Sequence, residues 1–415
     1  MCAFKLIMEE SMINKSLINK LYEGLSKQNK EWVDKSIEKI VHTKEKGGAV
    51  VVVTGSGPNI HEGVTTLIAE LIHKGIVDGV TTSSAVINHE MAGALEKVHR
   101  VDGRKLGYPE AKLPIDNLVE ASILPEEQAK MIKEEFSYDE EYIKKILAED
   151  GNTIIKAAGN LAYPLGLRTE KLAREAESLA KANGVPLEYV VGQGADRMTM
   201  LGAAAEKNKE ILVTVPQLVG GGAVGLAVGD SISLTERSMR IAKMLGNADI
   251  IIESAVALTQ EIHDGPFETY TGHGIWPDHE GYWTYSLADK TLIRIDLDPN
   301  LELAWKKQRK SNVVQNAIAK GLPKTKLTGV PFRMEMSGFS RLPGSIPIIE
   351  DIGKIWPIIA LKVAERLGII LDFISYPQST KEGQKMREWI VENVKPVERK
   401  KMYNFFEISS TYQSN

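Results

Sequence analysis

Ala49-Val50-Val51-Val52-Val53-Thr54-Gly55-Ser56-Gly57-Pro58-Asn59 opens the segment from which the architecture can be read, and Val77-Asp78-Gly79-Val80-Thr81-Thr82-Ser83-Ser84 closes it. An unbroken valine run suits a strand buried on both faces of a parallel sheet. The amphipathic residues between the two quoted stretches predict a helix, so the order is strand, loop, helix, strand. Small polar residues at both strand ends, Thr82, Ser83 and Ser84 among them, leave backbone N–H groups for a ligand. That is where an open α/β sheet places its cofactor.

Outward from this unit the chain continues to alternate. Before it, Leu17, Leu21, Leu25, Trp32, Val33, Ile37, Ile40 and Val41 fall near helical spacing, which predicts one or two helices ended by Gly47-Gly48. After it, residues 101–150 are rich in charge, with Pro109, Pro114 and Pro125 preceding Glu126 to Glu149, and read as a mostly helical surface excursion. Helices are then expected at Arg168–Ala182, Met198–Glu206, Leu234–Met244 and Leu301–Lys307. Strands are expected at Leu187–Val191, Ile211–Val215, Asp249–Glu253 and Thr291–Asp296. A further helix is expected at Ile349–Leu367, and a polar, frayed tail after Phe406. The expected fold is α/β: a doubly wound, mostly parallel sheet with helices on both faces. Residues 1–46 form an N-terminal helical segment, 47–310 the α/β domain and 311–415 a C-terminal appendage.

Composition narrows the function classes. The chain has 415 residues, 43% of them hydrophobic, and a formal charge of -4. No basic stripe attracts nucleic acid, and no apolar run approaches the roughly 20 residues of a membrane span. The expected partner is a small molecule. Cys2 is the one cysteine, which excludes an internal disulfide framework and any Cys-rich zinc site. Met1 to Met8 lacks the charged head and long apolar stretch of a signal peptide, so the expected location is cytoplasmic.

Three loops are candidates for chemistry. The turn holding Gly55, Ser56, Gly57 and Asn59, with a helix expected from about His61-Glu62-Gly63, either brings backbone donors and a helix dipole to a phosphate or is a plain tight β-to-α turn. It matches neither a Rossmann glycine fingerprint nor a Walker lysine loop. Gly220-Gly221-Gly222 permits either close approach of a nucleotide or a loop crossing over a helix. Residues 259–285 concentrate reactive groups, which form an active-site rim or are solvated loop charges. His263, His273 and His279 match no common metal-ligand spacing, and no metal is expected. His61 and His89 adjoin these loops, a setting more typical of cap or polar-edge histidines than of acid/base catalysts.

With these stretches in view, the chain resembles deoxyhypusine synthase and its relatives from about Ala49 to Trp305. The family's Val-Asp-x-x-Val-Thr-Thr strand is similar to Val77 to Thr82, and its Asp-containing glycine loop to Gly192-Gln193-Gly194-Ala195-Asp196. Its triple-glycine turn is similar to Gly220–Gly222, its Thr-Ala-Gln-Glu-Phe-Asp-Gly to Leu258–Gly265, and its closing Val-Tyr-Ala-Asp-Ala strand to Ile293–Leu297. The resemblance implies NAD as cofactor, held by these loops with Asp196, Thr259 and Asp296 added to the contacts. It also implies a homo-oligomer, a tetramer in the relatives.

The departures bear on activity. Tyr285 occupies the place of the family's catalytic lysine, and a tyrosine forms no Schiff base. Leu226 replaces a polyamine-contacting histidine, and Ile87-Asn88-His89 replaces Glu-Glu-Asp. The expectation is therefore an NAD-dependent enzyme, not a true deoxyhypusine synthase. It oxidises an amine or amino-acid carbon with internal hydride return, as the related archaeal-type ornithine cyclodeaminase does, in cyclodeaminase or transferase fashion. Asp264 or Glu268 is expected to hold the ammonium of a cationic substrate, and His263 or Tyr285 to pass a proton. The alternatives are an NAD(P)-dependent dehydrogenase or lyase on a small hydroxy or amino acid, and a non-catalytic nucleotide-binding or sensing protein.

Overall fold

Apolar runs set the strands of this protein, and small polar side chains set many of the helix starts. The structure, a computed structural model, describes residues 13–55, 57–159, 162–215, 221–255, 289–297, 310–321 and 345–412. In chain order the first elements are α1 (Lys15–Glu23), α2 (Lys27–Glu45), β1 (Val50–Thr54), α3 (Gly57–His61), α4 (Val64–His73), β2 (Gly79–Ser83), α5 (Ser84–Met91) and β3 (Leu95–Asp102). Next come β4 (Leu118–Ile123), α6 (Glu126–Glu135), α7 (Glu140–Ala148), β5 (Gly151–Ala157), α8 (Leu165–Asn183), α9 (Leu187–Gly192), α10 (Met200–Lys207) and β6 (Glu210–Val215). The last are α11 (Gly222–Ser231), α12 (Leu234–Gly246), β7 (Ile250–Ser254), β8 (Thr291–Asp296), α13 (Asn312–Ala319), β9 (Ser345–Ile349), α14 (Ile352–Leu367), α15 (Lys381–Asn393) and α16 (Arg399–Tyr412). Parallel strands alternating with flanking helices make this a doubly wound α/β protein. No helix among the described residues is long and apolar enough to cross a membrane. The chain folds as two compact units, one running to Gly55 and resuming over Ser238–Leu371, the other comprising Ser56–Arg237 and Asp372–Asn415.

The first unit is built on the parallel order β1-β7-β8-β9. Val50 to Thr54 align one to one with Ile250 to Ser254, which align in turn with Thr291 to Ile295. Each valine of β1 is buried, and each contributes roughly 1.5–3 kcal/mol as an upper bound. Helix α2 starts at Ser26, whose hydroxyl accepts from Asn29 N, and buries Val33, Ile37, Ile40 and Val41. Helix α14 starts at Asp351, whose carboxylate accepts from Gly353 N, and packs against α2. Its Trp356 is fully buried and donates its indole N–H to Ser254 Oγ at 2.9 Å. Neighbouring strand residues face opposite sides, so Glu253 and its register partner Arg294 lie on the face away from Trp356.

The second unit carries two sheets. Strands β2 and β6 pair in parallel, with a register irregularity between Thr82 and Ser83 at the carboxyl end. Strands β4-β3-β5 form an antiparallel sheet. Helix α4 is buried along nearly its whole surface, and Gly63 admits it by taking a left-handed φ of 66° with Met386 of α15 against it.

Several expectations are corrected here. Residues 101–150 are not mostly helical: the alternating Leu118-Val119-Glu120-Ala121-Ser122-Ile123 makes β4, while α6 and α7 occupy the Glu-rich stretch. Leu187–Val191 is helix rather than strand, since five apolar-leaning residues are too short for their period to tell one from the other. A helix begins at Gly57 rather than His61, because Pro58 is preset for a first helical turn. Backbone past Phe406 continues as helix to Tyr412. The helix expected at Leu301–Lys307 lies outside the described residues.

Candidate functional site

In the second unit, β2 is followed directly by α5, and α11 begins at Gly222. Ser83 caps α5 by accepting from Val86 N at 3.4 Å. Among the described residues no side chain caps α11, whose first turn holds Gly222, Ala223 and Val224 and no acidic residue. Its amino-terminal N–H groups and the helix dipole therefore have no side-chain counter-charge from their own helix. Gly221 lies against α5 so closely that a Cβ on it would stand 2.7 Å from Ser84 Oγ and 2.9 Å from Ser84 Cβ. Only glycine fits. A Cβ on Gly222 would meet the Glu170 carboxylate at 2.8 Å. Thr82 is fully buried, and its carbonyl accepts from the Thr214 hydroxyl at 3.3 Å. Thr81 and Thr214 join their hydroxyls across the two strands.

Thr82, Ser83, Ser84, Gly221 and Gly222, all expected to contact a cofactor, lie at the ends of β2, α5 and α11. Other expected contacts stand elsewhere. Asn59 is fully buried inside α3. Gly57 starts that helix, while Gly55 donates its N–H to Ser254 O at 3.0 Å in the first unit. The Asp196 carboxylate accepts from Met198 N at 2.8 Å and from Lys395 N at 3.2 Å, tying the α9–α10 turn to the segment that follows α15. Asp296 ends β8, where its carbonyl accepts from Glu350 N. Ser56, Gly220, Thr259, His263, Asp264, Glu268 and Tyr285 lie outside the described residues.

A second cluster, which the sequence reading did not assemble, lies where α3, α5, β5 and α15 meet. Arg387 Nη2 donates to Ile155 O at 2.5 Å and stands 3.4 Å from His61 Nδ1. A guanidinium only donates, so Nδ1 accepts and the ring proton of neutral His61 sits on Nε2. Burial, then the charges of Arg387 and Lys156, hold His61 below the usual imidazole range. His89, on α5, is the opposite tautomer: its Nδ1 donates to Ala158 O at 2.7 Å, which leaves Nε2 as a bare acceptor. Burial pushes His89 down as well, with His61 and Lys156 adding to the effect and the Ala158 contact opposing it.

Carboxylates frame the cluster. Glu120 forms ion pairs with both Lys156 and Arg100, the latter at 2.9 Å. Glu96 accepts from Ser122 Oγ at 2.7 Å and Gly159 N at 2.9 Å, yet burial still pushes it up to about 7. Glu62 accepts from Gln378 N and exerts its charge on Arg387. Arg100, Lys156 and Arg387 thus stand among Glu62, Glu96 and Glu120, with Arg100 and Lys156 paired to Glu120 and the Arg387 guanidinium beside His61. The available chemistry is one imidazole hydrogen-bond donor, one imidazole acceptor and a guanidinium.

Lys156 and Arg387 were missed because β5 and α15 look unremarkable locally. The only signal was the pair of histidines beside the glycine loops.

No known family model matches the chain, and no curated protein does. Among solved structures it is similar to a conserved LOR/SDH protein from Methanococcus maripaludis S2, at 8% identity and a TM-score of 0.37 over 86% of this chain and 69% of that one. It is also similar to AgrE in a ternary complex with ornithine and NAD+, at 12% identity and a TM-score of 0.40 over 82% of this chain and 34% of AgrE. ArgZ, an arginine dihydrolase from the ornithine-ammonia cycle in cyanobacteria, aligns at 10% identity and a TM-score of 0.40 over 80% and 32%. The chain spans about a third of the length of AgrE and ArgZ. Likenesses of this size assign neither substrate nor cofactor.

Proposed function

We propose that the protein is an NAD-dependent enzyme acting on a small amino acid or related amine. The observation that carries this reading is the cradle at the ends of β2 and β6, where Gly221 is pressed against Ser84 beside the uncapped amino end of α11. Bare backbone donors at a helix amino terminus suit the phosphates of a dinucleotide. Ser83, Ser84, Gly221 and Gly222 are small enough to support approach of its phosphates to the backbone, while the Glu170 carboxylate lies beside Gly222. When bound, the nicotinamide would supply a hydride acceptor for an amine carbon. The resemblance to deoxyhypusine synthase and to archaeal-type ornithine cyclodeaminase points the same way, without the lysine that protein modification needs.

The chain's own groups then bind and orient the substrate and move its protons. Arg387 and Lys156 attract a substrate carboxylate. His89 Nε2, kept unprotonated by burial, accepts a proton from the substrate nitrogen, and the Nε2–H of neutral His61 donates a hydrogen bond that orients the substrate. Mass spectrometry of small molecules released on denaturing the purified protein tests the cofactor, and an amino-acid panel followed at 340 nm tests for net reduction against internal return. Release of no dinucleotide, together with no NADH or NADPH binding by titration, would overturn the reading. Arg387→Met is expected to raise the amino-acid KM about tenfold or more while the dinucleotide is retained.

A further inference from the structure

Arg294, on β8, is 2% exposed, and its Nε pairs with Glu253 Oε2 on β7 at 2.9 Å. Its two terminal nitrogens, Nη1 and Nη2, are fully enclosed and have no hydrogen-bond partner among the described residues. The protein treats its other buried arginines differently. Arg237 gives its terminal nitrogens to both oxygens of Glu188, to the carbonyls of Val213 and Val228 and to Ser231 Oγ. Arg168 directs Nη2 to Glu135 and to Val397 O at 2.7 Å, leaving only Nη1 unmatched. Buried donors in folded proteins are matched as a rule, so a guanidinium with both fork nitrogens idle calls for a partner.

Two further features mark the same place. Ser345, which pairs with Leu292 and so shares the Arg294 face of the sheet two residues back, also has an enclosed hydroxyl without a partner among the described residues. Ala255, whose N–H donates to Ile295 O next to Arg294, holds a left-handed φ of 84°, a strained conformation for alanine. Arg294 lies two residues short of the carboxyl end of β8, the edge at which α/β sheets receive ligands.

We propose that Arg294 presents this fork to an oxyanion, either a phosphoryl or a carboxylate group, which takes one hydrogen bond from each of Nη1 and Nη2. With Nε engaged by Glu253, the end-on fork is the remaining face of the guanidinium, and its spacing matches two oxygens on one phosphorus or one carbon. The site is made of residues other than those of the glycine cradle and the histidine cluster, and it does not rest on the dinucleotide reading.

The test uses the full chain. Ion chromatography of the denatured protein reads any anion retained through purification, and calorimetric titrations with inorganic phosphate, acetate and NADH compare wild type with two variants. Arg294→Lys keeps a charge beside Glu253 but has no fork. The double variant Glu253→Met with Arg294→Met replaces the buried pair by apolar groups of similar length, and circular dichroism checks that both variants fold. Phosphate or acetate binding that weakens at least tenfold in both variants is the expected result, and the stronger of the two names the group. NADH that displaces phosphate from wild type would assign the group to a dinucleotide. No retained anion together with no binding by wild type, or binding equal in wild type and Arg294→Lys, would overturn the proposal.

Discussion

Buried glutamates in the second unit act as caps for backbone far away in the chain. Glu90 accepts from Met200 N and Leu201 N at 2.9 and 3.0 Å, capping the amino end of α10 from α5, and burial nevertheless pushes it up to about 8. Glu188 accepts from Val213 N at 2.7 Å, and Glu96 holds Gly159 N. The upward shifts of Glu90 and Glu96 have a measurable consequence. A carboxyl whose folded pKa exceeds its unfolded value favours the folded state while protonated. For Glu96 that contribution is complete below about 4.5 and is lost as pH climbs through about 7. Wild type should therefore lose on the order of 2–3 kcal/mol relative to Glu96→Gln between pH 5 and 8, measured as urea midpoints across that range. Parallel profiles for the two proteins would remove Glu96 from the account. Neither the depth of Glu96 nor its contact with Gly159 is visible in the sequence, where it is one charge among many.

Among the elements, α11 and α9 show how neighbours select a conformation. The triple glycine was legible in the sequence as a place of nucleotide contact or of a loop crossing over a helix, and Gly221 lies against Ser84 of α5. Gly221→Ala should lower dinucleotide affinity tenfold or more, and adding Ser84→Gly should recover part of it, because the second change removes the two nearest atoms the new methyl meets and leaves Gly225 Cα at 3.1 Å. Fluorescence titration with NADH reads both. Helix α9, whose short apolar run alone is equally compatible with a strand, is helix partly because that conformation carries Glu188 to Val213 N and to Arg237. Arg237→Met leaves that carboxylate buried and uncompensated, at a cost of about 3–5 kcal/mol, and Glu188→Gln in the same chain should restore part of it. Chemical denaturation of the two variants measures the difference.

At the scale of the whole molecule, the chain leaves the second unit at Arg237 and re-enters it at Asp372. Two α3–α4 carboxylates hold the returning strand of chain: Glu70 accepts from Asp372 N at 2.6 Å and Glu62 from Gln378 N at 2.7 Å. In the variant carrying Glu62→Ala and Glu70→Ala, amide exchange at Asp372 and Gln378 should quicken by roughly 10- to 100-fold, equivalent to about 1.4–2.8 kcal/mol of local stability, while amides of β1 and β7 keep their protection. Hydrogen exchange read by mass spectrometry distinguishes this from global loosening.

The valine run of β1, the alternation of strands and helices and the small residues at strand ends could all be read from order alone, because hydrophobic period and turn chemistry are local properties. The meeting of His61, His89, Lys156 and Arg387 could not. Those residues come from α3, α5, β5 and α15, and Arg387 is 326 positions from His61. The depressed protonation of the two histidines, like the unpartnered fork of Arg294 among the described residues, follows from burial and strand register, which come into being only when distant segments pack and exclude water.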